Sequence, residues 1–204
     1  MRILTLILLL FPIILFGQNI NETDIVKDYC EQAESLDWES KSVEEIASEL
    51  SQIAVRIRQD HSETINQIKE KFKADKPELT DKELDKEFTI RLIESLADEC
   101  DTYVQLTRNL INPSPKENKT LHLIAEKIDS IMEQNKNLSY PEQLSKADNQ
   151  IFNIIMDNES QVNKDYKDGF ADPKLADDVG IYLLYKSNRY YKAYLVSGSI
   201  KMFN

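Results

Sequence analysis

The sequence predicts an all-α fold, an antiparallel bundle of about six helices, and three observations carry that prediction. Apolar residues return at steps of three and four along most of the chain, the period of a helix with one face on a core. Only 4 of the 204 residues are glycine, which leaves little material for tight turns or phosphate-cradling loops. Ser, Thr and Asp stand repeatedly where such a helix would begin, followed three residues later by Glu in the clearest cases.

The first segment stands apart from this pattern. Arg2 precedes an apolar run from Ile3 to Phe16, interrupted by Thr5 and Pro12, and Gly17–Gln18 follow it. A basic start, a short apolar stretch and a small residue at its end describe a secretory signal peptide. The run falls short of the roughly 20 apolar residues that a membrane span needs. The ending Phe16–Gly17–Gln18 resembles the signal peptides of exported Bacteroidetes proteins. The expectation is a leader over residues 1–17, cleaved near Gly17, and a single helical domain over 18–204 in the periplasm or secreted medium. An uncleaved anchor is the competing reading. A lipid-anchored one is unsupported, because the first cysteine, Cys30, does not follow the run directly.

The next two helices fall to Asn21–Glu22–Thr23–Asp24, followed by Ile25, Val26, Tyr29, Cys30 and Ala33 on one face, and to the capping box Ser42/Glu45. The second carries a stripe from Val43 through Ile46, Leu50, Ile53, Ile57, His61, Ile65 and Ile68 to Phe72. It must stop before Pro77. Thr80 and Glu83 then open the expected central helix, Thr80–Leu110, whose two adjacent apolar rows suit an element touching several neighbours. Asn112–Pro113 ends it. A shorter helix is expected over about Thr120–Asn135. A more polar one starts at Ser139–Tyr140–Pro141–Glu142 and runs to Gly169. Asp172–Pro173 opens the last, with Asp as cap and Pro in the first turn. A β-hairpin, Ile181–Lys186 and Arg189–Val196 about Ser187–Asn188, competes there because β-branched and aromatic residues are dense. The spacing of three and four favours helix, with Ser197–Asn204 a loose end.

Two cysteines, Cys30 and Cys100, form an even count in a chain read as exported, where disulfides persist. Both lie on apolar faces, and the expectation is that they are joined.

Charge narrows the partners. The formal net charge is −11, and it becomes −12 without Arg2, since 24 Lys and Arg then face 36 acids. Such a chain has no basic stripe for phosphates, so nucleic acid is not an expected partner, and a membrane is expected only during export.

Chemistry-bearing residues are few. His61 sits on the stripe of the second helix, and His122 shares a helix face with Glu126, half of a metal site at most. Neither histidine has Glu three residues before it, as the paired motif of di-iron bundles requires. Around Gly169, Lys164 and Tyr166 occupy places where a calcium loop needs acids. There is no Gly-x-Ser-x-Gly elbow and no phosphate loop, so no catalytic residue, cofactor or metal is assigned. The most suggestive surface is the C-terminal segment, which holds five of nine tyrosines with basic residues between them. Tyr182, Tyr190 and Tyr194 fit its core face. Tyr185, Arg189 and Tyr191 would point outward as anchors for a protein or small ligand; packing of these tyrosines in the core and its rim is the competing and favoured reading. The functional expectation is an exported, non-enzymatic binding protein. A metal-dependent or hydrolytic enzyme using His61 or His122 is the alternative.

Overall fold

The computed structural model describes residues 22–110 and 116–202, with side chains to residue 200. The expected leader therefore lies outside the described residues. Among the described residues there are ten α-helices and no strand. In chain order they are α1 (Glu22–Glu34), α2 (Val43–Asp60), α3 (Ser62–Asp75), α4 (Asp81–Glu99) and α5 (Asp101–Asn109). After residues 111–115 follow α6 (Lys119–Gln134), α7 (Tyr140–Asp157), α8 (Glu159–Asp165), α9 (Pro173–Lys186) and α10 (Asn188–Met202), with one 3-10 turn at Gly169–Ala171.

Ten replace six because four of the expected helices are each interrupted at one residue. The breaks fall at His61, Cys100, Asn158 and Ser187. At Cys100 the backbone leaves the helical region, with φ −123° and ψ 87°. Helical bonding resumes at once: Cys100 N–H donates to Leu96 O at 3.0 Å, and Val104 N–H donates to Cys100 O at 3.2 Å. At Ser187 the side chain starts the new helix. Its hydroxyl accepts from Tyr190 N–H at 3.1 Å and donates to the Asp129 carboxylate. The C-terminal hairpin is thereby excluded, and the segment expected to be a loose end continues α10 as far as Met202, with Ser197 and Ser199 buried.

The starts are as the sequence predicts. In the Ser42 and Thr80 boxes the Glu carboxylate accepts from the cap N–H at 2.8 Å, and Glu142 accepts from Ser139 N–H at 3.0 Å. Gly169 has φ +55°, and a Cβ there would meet Asn163 Oδ1 at 2.2 Å, so only glycine passes this turn without strain.

The buried side chains form two hydrophobic clusters. One gathers α1 to α5 around Ile25, Ile53, Ile57, Phe88 and Leu106. The other gathers α6 to α10 around Leu121, Ile124, Ile128, Met132 and Leu183. Helix α10 belongs to both. It packs on α4 as well as on α6, α7 and α9, giving Leu195 to the first cluster and Tyr190 and Ala193 to the second. Cys30 and Cys100 are disulfide-bonded, with Cα atoms 5.6 Å apart, so α1 is tied to the break between α4 and α5. No helix among the described residues is long and apolar enough to cross a membrane.

Candidate functional site

The residues singled out in the sequence separate in space. His61 caps the break between α2 and α3, and its Nε2 lies 2.9 Å from Asp28 Oδ2 on α1. This contact holds the Asp28 carboxyl below its ordinary range, with a further hydrogen bond from Gln32. His122 is exposed and pairs with Glu126 at 3.3 Å, one turn along α6. Neither histidine has the company a metal would need: no group of three or more ligating side chains occurs among the described residues.

Of the expected anchors, Tyr185 is half-buried beside Arg108, and Arg189 reaches Glu133 at 2.6 Å. Tyr191 is not on the surface. It is 2 % exposed, with the Arg108 guanidinium 4.9 Å from its ring centroid and Thr107 beside its hydroxyl. Tyr194, assigned to the core face, is 49 % exposed. Both corrections have one cause. The break at Ser187 starts α10 on a new axis between two clusters, so Tyr190 turns into one and Tyr191 toward α5 of the other. Tyr194 is left on an uncovered side.

Arg189 leads to the site that the sequence did not reveal. A cleft of about 640 Å³ opens where α4, the turn from α6 into α7, and α10 converge. On the α4 side stand Glu94 and Asp98; on the α10 side stand Arg189 and Lys192; Tyr140 and Gln143 come from α7. Tyr140 donates its hydroxyl to Asp98, and burial together with this carboxylate raises the phenol's pKa. Gln143 is 5 % exposed; its Nε2 donates to Leu138 O at 2.8 Å, which fixes the amide orientation and leaves Oε1 buried without a partner. Unsatisfied buried acceptors are uncommon in native interiors and call for an explanation.

The charges are unevenly used. Arg189 and Lys136 both pair with Glu133, and Asp98 is held by Tyr140. Glu94 and Lys192, by contrast, have no hydrogen-bond or ion-pair partner among the described residues. Burial raises the Glu94 pKa, with Asp98, Glu87 and Glu22 adding to it, while the charge of Arg91 acts the other way without a direct ion pair. One cleft is therefore lined by a carboxylate and an ammonium without a direct partner, from α4 and α10, with the buried, unsatisfied amide oxygen of Gln143 in its α7 wall. Such a set offers hydrogen bonds and charge to a small molecule; it contains no nucleophile poised against a base. No protein-family model, characterised protein or solved structure matches this chain.

Proposed function

We propose that this chain is a non-enzymatic binding protein of the exported compartment, whose ligand is a small zwitterion carrying an ammonium and a carboxylate, such as an amino acid or a short peptide. The observation that carries the reading is that Glu94 and Lys192, of opposite charge and without a hydrogen-bond or ion-pair partner among the described residues, line one cleft. A ligand with both charges would supply each with a charge-assisted partner. The disulfide supports the compartment, because such bonds persist outside the reducing cytosol.

Calorimetric titration with alanyl-alanine, N-acetyl-alanine and alaninamide tests this. Saturable binding of the dipeptide is expected, with each singly charged control weakened about tenfold or more, the scale of one charge-assisted hydrogen bond. Glu94→Gln should erase the preference over N-acetyl-alanine, and Lys192→Gln the preference over alaninamide. Equal binding of all three compounds, or of none at millimolar concentration, refutes the reading.

A further inference from the structure

A second cavity lies among the helices of the first cluster and, unlike the polar cleft, is lined mainly by apolar side chains. Helices α2 and α4 both pack on α1, α3 and α5 but meet each other marginally at most, and a cleft of about 350 Å³ remains between them. Phe88, Leu92, Ile93 and Leu96 line it from α4, and Ala54 and Val55 from α2. Val55 is 56 % exposed at its mouth. Thr89 also lines it, but the hydroxyl donates to Asp85 O at 2.8 Å within its own helix.

Of the other polar groups in this lining, those of Arg58 and Tyr103 lack hydrogen-bond partners among the described residues. Arg58 is the only charged residue lining the cleft; it is exposed, and it makes no ion pair or hydrogen bond among the described residues. The other arginine of α2 that faces α1, Arg56, is by contrast bonded to Gln32 at 3.2 Å. Tyr103 is 9 % exposed, its ring edge-on to Tyr29 at 5.6 Å, and its hydroxyl bonds to nothing among the described residues. Tyr29, the neighbouring phenol, does have a partner, donating to Leu50 O at 3.3 Å.

We propose that this cleft is a binding site for a single-chain amphiphile with an anionic head, a fatty acid or a similar carboxylate. The hydrocarbon lies along Phe88, Leu92 and Leu96, and the head meets Arg58, whose planar guanidinium suits a carboxylate. The volume falls in the range of about 300–1,000 Å³ typical of small-ligand pockets. A protein this acidic repels anions in general, so the one unpaired cation at an apolar mouth is what selects the head group. The site is independent of the zwitterion reading and stands or falls without it.

The test is calorimetric titration of the purified protein with dodecanoate below its micellar concentration, with dodecanol and with anionic phospholipid vesicles. Saturable binding of one dodecanoate is expected, weakening about fourfold for each methylene removed. Dodecanol and Arg58→Gln should each lower affinity about tenfold. Ala54→Phe, at an exposed position, should abolish binding while the far-ultraviolet dichroism stays unchanged. Absence of dodecanoate binding overturns the proposal, as does equal binding of dodecanol or full affinity in the Arg58→Gln variant. Binding to vesicles alone overturns it too, since that marks a membrane surface rather than a single-chain site.

Discussion

Reducing the Cys30–Cys100 bond frees a sequence separation of 70 residues, which spans most of the first cluster. On a chain-entropy argument, closing a loop of that length lowers the free energy of folding by about 4 kcal/mol. With a urea dependence of about 2 kcal/mol per molar, the unfolding midpoint should fall by about 2 M on reduction. The only tryptophan, Trp38, packs against the first cluster and reports on it directly. Its fluorescence should therefore show the full shift in dithiothreitol, and the dependence on urea should steepen as the denatured chain expands. Far-ultraviolet dichroism measures every helix, so it separates loss of the first cluster from loss of both. A Cys30→Ala, Cys100→Ala chain should behave as the reduced protein, slightly weakened further because Cys100 is fully buried. A midpoint that moves by less than about 0.5 M in both experiments refutes the reasoning, because it would mean the reduced denatured state is already nearly as restricted.

Two further outcomes follow from single side chains. Tyr191→Ala should destabilise the protein by about 3–5 kcal/mol in the same urea assay, the usual cost of truncating a buried aromatic, whereas Tyr191→Phe should cost under about 1.5 kcal/mol. A near-neutral alanine variant would put Tyr191 back on the surface. For Asp28, the hydrogen bond with His61 lowers the folded pKa, so the stabilisation is present above the unfolded value of about 3.9 and disappears as pH falls through the lower folded value. Asp28→Asn should therefore be less stable than the parent at pH 5–6, by less than about 1 kcal/mol since the pair is partly solvated, with the gap closing as pH falls through the folded value. A gap that widens with acid would reverse the assignment.

The fold was largely legible in the sequence, because its signals are local. Ser42/Glu45, Thr80/Glu83, Ser139/Glu142 and Asp172–Pro173 each mark a helix start with chemistry confined to four residues. The four interruptions were not legible. None of His61, Cys100, Asn158 and Ser187 is Pro or Gly, and helical bonding resumes across each, so no local signal marks the break. The disulfide could be anticipated from two cysteines on apolar faces.

The candidate site was almost wholly hidden. Glu94, Gln143 and Lys192 are ordinary polar residues of three separate helices, and only packing brings them to one cleft. Arg189 alone linked the sequence reading to that place. The tyrosine pattern misled because it was read as one helix with one inner face, while α10 has neighbours on two sides.

That double coverage has a consequence for synthesis. A ribosome that has delivered the chain as far as Ser187 has delivered two half-built interiors, one still waiting for Leu195 and the other for Tyr190 and Ala193. Neither is complete while residues 188–202 are inside the exit tunnel. On the proposed export route, which threads an unfolded chain through a translocation pore, late completion of both interiors would help to keep premature closure from jamming its passage.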